Sequence, residues 1–591
     1  MRIEDYALIG DMHTAALVGR DGSIDWLCLP RFDSGACFAA LLGGRRAGRW
    51  SLAPAWAGPP AARRYQDGTL ILETAWDTPE GSVRVLDFMP PRGQAPDVMR
   101  IVEGVRGRVE MRMEMILRFD YGNVVPWVRH GDGTLAAMAG PNATWLRSPV
   151  PLDHDDHTHR TTASFTVAPG DRVPFVLTWR ESWLGAPDPA DPVDSLAVTE
   201  RAWRDWVGRC RYEGEYGEAV RTSLLVLKAL TYAPTGGLVA AATTSLPERL
   251  GGSRNWDYRY CWLRDASFTL DALISSGYET EATAWRDWLL RTVAGDPADL
   301  QIMYTIEGAR RIPEWTLGWL PGYEGSRPVR VGNAASRQFQ LDVYGEVIDC
   351  LHRAREAGLP PEDQAWDLQR ALMEYLEGAW RKPDNGLWEV RGPRRDFTHS
   401  KILAWVAADR MVSAVERQGL DGPADRWRAL REEIHREVCA RGYDPGRNTF
   451  TQFFGSKGLD AALLLIPRLG FLPLDDPRVR GTVDAVRREL ADDGFVRRYL
   501  PEADDVDRLS GGDGMFVACS FWLADALALL GRTEESRALF GRLLGLRNDV
   551  GLLSEEYDVR AGRQTGNFPQ AYSHVAIVNT ATALAGGSDP T

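Results

Sequence analysis

Three segments of the chain carry residue types and spacings suited to acid–base chemistry on a polyol. The longest runs from Arg254 to Asp265, where Trp256, Tyr258, Tyr260 and Trp262 alternate with polar partners and the run ends on Arg264 and Asp265. An arginine–aspartate pair at a helix mouth holds hydroxyls through charge-assisted hydrogen bonds, while the rings supply an apolar wall. The plain alternative is an aromatic strand capped by a structural ion pair. A second segment, Pro383 to Arg391, is a turn signal followed by Trp388 and Glu389. A carboxyl beside an indole is desolvated, which favours the protonated form that a general acid needs. Any strand with one residue in and one out shows the same pair. The third segment, Gly551 to Asp558, holds the adjacent Glu555 and Glu556. If extended, these point to opposite sides, one facing a cavity as a general base and the other solvated or salt-bridged.

The elements that must position these residues fall into two periodicities. Through the first 180 residues the pattern alternates with period two. Val109, Met111, Met113 and Met115 share one face and Glu110, Arg112 and Glu114 the other, as in a half-buried antiparallel strand. Similar runs lie at 69–76, 83–89, 164–167 and 173–179, with turn chemistry at Asp132-Gly133 and Pro169-Gly170-Asp171. The expectation is an antiparallel β-sandwich over residues 1–185, then a linker with a helix at about 195–208 over 186–212. From there the period becomes 3.6. Helices are expected near 216–232, 264–276, 279–294, 340–357, 363–380, 399–418, 423–440, 457–466, 476–490, 513–530, 533–547 and 568–586. Some are apolar nearly all round and others carry one charged face, which predicts six inner and six outer helices in a closed toroid over 213–591. The long connections 233–263, 295–339 and 548–567 exceed what packing needs and are where function is expected.

Composition excludes several classes. With 591 residues, 44% hydrophobic content and 26% charged, the chain is globular and multidomain. Asp+Glu number 82 against 69 Lys+Arg, a net charge of −13 that argues against nucleic acid and membrane surfaces as partners. The 7 cysteines are scattered, with no Cys-x-x-Cys pair, so neither a disulfide framework nor a structural zinc is expected. Glu4, Asp5 and Asp11 interrupt the region where a signal peptide needs an apolar core, and a cytoplasmic address is expected. Trp (22) outnumbers Tyr (17) and Phe (18), which fits either an aromatic core or a surface for flat apolar ligands such as sugar rings. No nucleotide-binding glycine motif is present.

Taken together, the three segments resemble glycoside hydrolase family 15, and the resemblance covers nearly the whole chain. The opening run from Asp5 to Val18, with Asp21 to Pro30, is similar to the N-terminal β-domain of the family's bacterial trehalase-type members. Tyr260-Cys-Trp-Leu-Arg-Asp265, Arg327 to Ala334 and Gln340 to Glu346 are similar to its barrel motifs. The resemblance implies an (α/α)6 barrel behind the β-sandwich, and an inverting mechanism that needs two carboxylates and neither cofactor nor metal. The family's acid, in a Leu-Trp-Glu segment, falls on Glu389. Its base, in a Ser/Ala-Glu-Gln-Tyr/Phe-Asp segment, falls on Glu555, and Glu556 stands where the family often has Gln. The motif that grips the terminal glucose falls on Trp262, Arg264 and Asp265, with Tyr258 and Tyr260 lining the same subsite beside Trp388. The function implied is exo-acting hydrolysis of an α-glucoside with release of β-glucose, trehalose being the leading substrate. Malto- or isomalto-oligosaccharides are the alternative, as is a silent glycan-binding protein with the same pocket. A small saccharide is the partner, and a homo-oligomer stays open.

Other residues are weighed beside these. Lys401 is one of four lysines, with Lys228, Lys382 and Lys457, and follows Glu389 at a helix start, where it either reaches the site or is an ordinary helix-end lysine. Gln340, Asp342 and Tyr344 face the cavity if their helix is an inner one. His154-Asp-Asp-His-Thr-His159 has the composition of a metal cluster, yet its place between strands favours a solvated hairpin turn.

Overall fold

The computed structural model describes residues 1–131, 134–360, 363–500, 506–507 and 514–586. Two eight-stranded antiparallel sheets form the N-terminal sandwich. The strand Val109–Ile116 shows the alternation at work. Its valine and methionines are buried, Glu110 and Arg112 are exposed, and Met113 pairs with Leu52 on one side and Ala163 on the other. Gly170, at φ 89°, makes the turn into Arg172–Glu181. The other expected turn, Asp132-Gly133, lies outside the described residues.

The three strands Tyr6–Gly10, Ala15–Gly19 and Ser23–Cys28 are buried along their whole length. Period-two reasoning passes over them because a strand covered on both faces loses its polar alternation. One face belongs to the sandwich; the other meets the helical domain, where Trp26 Nε1 donates to the Ala242 carbonyl at 2.8 Å. The His154–His159 run is a hairpin turn between Asp153–Asp155 and Arg160–Val167, with Asp155 accepting from the His157 backbone at 2.8 Å and His154 Nδ1 3.0 Å from Thr161 Oγ1.

After a short helix α1 (Ala40–Gly43) in the sandwich, helix α2 (Pro192–Val207) carries the chain onward. Asp191 caps α2, accepting from the backbone of Val193 and Asp194, and Pro192 fills the first turn, where no donor is needed. The barrel helices follow as α3 (Gly217–Leu230), α4 (Ala266–Ser275), α5 (Glu279–Val293), α6 (Asp342–Glu356), α7 (Asp363–Ala379), α8 (Thr398–Gln418), α9 (Ala424–Arg441), α10 (Ile466–Leu469), α11 (Pro477–Glu489), α12 (Val517–Leu529), α13 (Thr533–Leu544) and α14 (Ala571–Leu584). Every expected helix but one has its counterpart. The one expected at 457–466 is instead a 3-10 turn, Ala461–Leu465, leading into the four-residue α10, because Asp460 caps Ala462 and Pro467 lacks an N–H donor.

Helices α4, α6, α8, α12 and α14 pack side by side in an inner ring that the Ala461–Leu465 turn leading into α10 closes between α8 and α12, and α3, α5, α7, α9, α11 and α13 lie outside it. Inner α12 is apolar nearly all round, Ser520 and Asp525 apart, and is buried at all but its last positions, whereas outer α9 buries only Trp427, Leu430, Ile434 and Val438. Because inner and outer helices alternate along the chain, all inner N-termini gather at one end, where the aligned helix dipoles favour negative charge. The connections entering those N-termini carry the candidate site.

Candidate active site

The segment before α4 is held extended by backbone pairing. Tyr258 accepts from Ala241 and Tyr260 from Ala240, both at 2.9 Å, while Cys261–Trp262 pairs with Met303–Tyr304. Its side chains therefore divide between two faces. Asp257 and Arg259 turn toward the sandwich. There, fully buried Arg259 donates to Asp257 Oδ2 at 2.7 Å, to the Ser34 carbonyl at 2.8 Å and to the Tyr121 hydroxyl at 2.8 Å. Trp256, Tyr258 and Arg264 line a pocket with about 480 Å³ of empty space, open solvent included, together with Trp388, Glu389 and Phe516.

Tyr258 and Trp262 meet edge to face with ring centroids 5.1 Å apart, and each holds one candidate carboxylate. Trp262 Nε1 donates to Glu389 Oε1 at 2.6 Å. Arg264 Nη1 reaches the same oxygen at 3.4 Å and the Leu387 carbonyl at 3.1 Å, while its Nε donates to Asp265 Oδ1 at 3.1 Å. The indole against the acid is thus Trp262, not the neighbouring Trp388, whose Nε1 donates instead to Asp460 Oδ1 at 2.7 Å. Glu389 adopts φ 58°, a left-handed conformation that costs a non-glycine residue about 1–3 kcal/mol and gathers at functional sites. Gly386, at φ 66°, accepts from the Glu389 backbone and tightens the turn that aims this side chain.

Tyr258 donates its hydroxyl to Glu555 Oε1 at 2.7 Å, and the Asn567 backbone N–H reaches Glu555 Oε2 at 3.3 Å. Burial, reinforced by the nearby Glu248 carboxylate, pushes the Glu555 pKa up to about 7; its two donors and Arg498 oppose the shift. Burial and the same carboxylates push the Tyr258 phenol far above its usual range, so it stays a donor.

Glu556 departs from the sequence expectation of opposite faces. Glu248, Glu555 and Glu556 each present an oxygen, all within 4.8 Å of one another. The physical reason is local: the strand Glu556–Asp558 begins only at Glu556, so Glu555 lies outside the alternating run. The salt-bridged role expected of the second carboxylate does hold, since Glu556 Oε1 lies 3.0 Å from Arg498 Nη2.

Among the other expected site residues, Asp265 is half-buried beside Arg264, and Asp342 is completely buried with Arg264 acting on its charge. Burial and the nearby Asp384 carboxylate raise the Asp342 pKa. Gln340 is buried and donates to Gln338 at 3.3 Å, one layer back from the cavity. Three residues do not join the site. Lys401 spends its ammonium on the Trp380 and Lys382 carbonyls, both at 2.8 Å, and on Asp396 at 3.0 Å. Tyr344 donates to the Pro297 carbonyl at 2.7 Å and stacks on Tyr375. Tyr260 is buried among Asp257, Arg259 and Tyr121 on the side of the sandwich. The cavity also takes in Glu248, Arg391, Arg498 and Asp507, which sequence reasoning did not single out. Glu248 lies in a connection flagged as overlong; Arg498 carries no local signal at all.

No helix among the described residues is long and apolar enough to cross a membrane. The family model for glycosyl hydrolases family 15 matches residues 214–582, and that for a trehalase-like N-terminal domain matches residues 1–198. A trehalase of Mycolicibacterium smegmatis is 39% identical over 609 residues, covering 98% of this chain and 90% of that protein. One of Thermoplasma volcanium is 33% identical over 591 residues, covering 99% and 93%. A bacterial glucoamylase solved with acarbose has a TM-score of 0.72 at 13% identity, covering 99% of this chain and 94% of that chain, which shows a shared fold. With two carboxylates, Glu389 and Glu555, gripped by Trp262 and Tyr258 at the inner-helix N-termini, and with these matches along both domains, the chain belongs to glycosyl hydrolases family 15 and is a glycoside hydrolase.

Proposed function

We propose that this enzyme is an exo-acting, inverting α-glucoside hydrolase whose substrate is trehalose. The observation that carries the reading is the pair Glu389 and Glu555, held by two different rings above Arg264 and Asp265. Relatives named trehalase match over both the sandwich and the barrel, which favours trehalose over other α-glucosides. Glu389 is the general acid. Among the described residues its side-chain hydrogen bonds all go to Oε1, leaving Oε2 for the proton delivered to the glycosidic oxygen. Glu555 is the general base, taking a proton from the water that attacks the anomeric carbon from the opposite face. Inversion needs about 6.5–9.5 Å between the two carboxyls, and the Tyr258–Trp262 pair standing between them supports that spacing. Arg264 and Asp265 close around the non-reducing end, which makes the action exo. The proposed setting is the reducing cytoplasm, in keeping with seven scattered cysteines that include no Cys-x-x-Cys pair.

The test is glucose release from trehalose, maltose, isomaltose and a maltodextrin, with the anomer followed by NMR and Glu389→Gln, Glu555→Gln and Glu556→Gln run in parallel. Release from trehalose as equal β- and α-glucose, with the loss for Glu555→Gln exceeding that for Glu556→Gln, is the expected result. Release from maltose or isomaltose instead would move the substrate, and retained activity in Glu389→Gln would remove the acid.

A further inference from the structure

Three buried carboxylates crowd the base end of the cavity. Glu248, Glu555 and Glu556 offer oxygens all within 4.8 Å of one another, and like charges at that spacing cannot all ionise without nearby cations. Among the described residues, two guanidiniums answer them. Arg498 Nη2 lies 2.5 Å from Glu248 Oε2 and 3.0 Å from Glu556 Oε1. Arg254 Nη1 stands 3.8 Å from Glu248 Oε2 while its Nη2 takes Asp507 Oδ2 at 2.6 Å.

The donors on Glu555 are of a different kind: a phenol hydroxyl and a backbone N–H, both neutral. The cations thus compensate the neighbours of the base, and neutral donors orient the base itself. A guanidinium in direct contact with Glu555 would hold its lone pairs and weaken it as a proton acceptor; one placed on its neighbours lets it ionise and still accept a proton. We propose that Arg498 is a positioning residue for the reaction, which keeps Glu555 ionised by neutralising Glu248 and Glu556. Among the described residues, the charged groups facing Glu555 are those two carboxylates and Arg498, with Arg254 and Asp507 behind Glu248 and Glu389 across the Tyr258 ring.

This rests on Glu555 being the base. The experiment is the pH profile of kcat/KM for whichever α-glucoside the wild type cleaves, measured for Arg498→Met, Glu248→Gln and the double variant, with Glu555→Gln as control. Removing the cation leaves the carboxylates to share a proton. The acid limb of Arg498→Met therefore moves up by at least about one pH unit, a tenfold loss on that limb that recovers at alkaline pH. Glu248→Gln, which keeps an acceptor for Trp256 Nε1 at 3.1 Å, removes one repelling charge and moves the limb down. The double variant returns it toward wild type. A loss in Arg498→Met that is uniform across pH, or an unmoved or upward limb in Glu248→Gln, would overturn the proposal. Glu248→Gln decides alone if Arg498→Met does not fold. Activity retained in Glu555→Gln would instead remove the base assignment, and the proposal with it.

Discussion

The hydroxyl of Tyr258 is the single atom whose removal tests the site most cleanly. Tyr258→Phe deletes one oxygen, keeps the ring against Trp262, and takes from Glu555 the donor that lies 2.7 Å from Oε1. A hydrogen bond to a charged acceptor is worth about 1.5–3 kcal/mol. Since that bond favours the ionised carboxylate, its loss raises the Glu555 pKa by roughly one to two units at 1.36 kcal/mol per unit. Starting from about 7, where half the sites are ionised at neutral pH, the ionised fraction at pH 7 falls about 5- to 50-fold. A base works only when ionised, so the loss sits on the acid limb and fades in alkali. The assay is kcat/KM between pH 5 and 9.5, which reports the free enzyme, with the melting temperature as a folding control. A decrease of equal size at every pH, or an acid limb that moves down, would refute the reasoning.

Three further outcomes follow from the same geometry. Glu555 has a native pKa above the ordinary glutamate value of 4.5, so its contribution to stability is fully present below that value and is lost as pH rises through about 7. Glu555→Gln is therefore expected to raise the melting temperature above pH 7, with the gain vanishing below pH 4.5, in a pH series of thermal melts. Lys401→Met removes a buried ammonium from two carbonyls and Asp396, and should cost about 2–3 kcal/mol in denaturant titration while KM stays unchanged. A changed KM would return Lys401 to the site. Arg259→Met leaves Asp257 buried without its guanidinium and frees the Ser34 and Tyr121 contacts of the sandwich, a loss of about 3–5 kcal/mol by denaturant titration. A change under 1 kcal/mol would show that the domain junction does not depend on it.

The sequence by itself determined the two architectures and most of the chemistry. Period two in Val109–Ile116 and period 3.6 beyond residue 216 follow from which face is buried, so a one-dimensional pattern suffices to place the sandwich and the helices of the barrel. Glu389, Arg264 and Asp265 were legible because short motifs fix their types and spacing. The strands Tyr6–Cys28 were not legible by alternation, because burial on both faces erases the polar half of the pattern. Only the tertiary structure decided which indole meets Glu389, since the sequence offers its neighbour Trp388 until the backbone turns at φ 58° and directs the carboxyl to Trp262. It alone sent Lys401 and Tyr344 to structural partners, because a side chain's reach does not tell which acceptor lies within it. Arg498 and Glu248 are 250 residues apart, and Arg498 carries nothing in its own neighbourhood that marks it. Their pairing arises because the ring of inner helices brings distant connections to one end, where burial makes every nearby charge count.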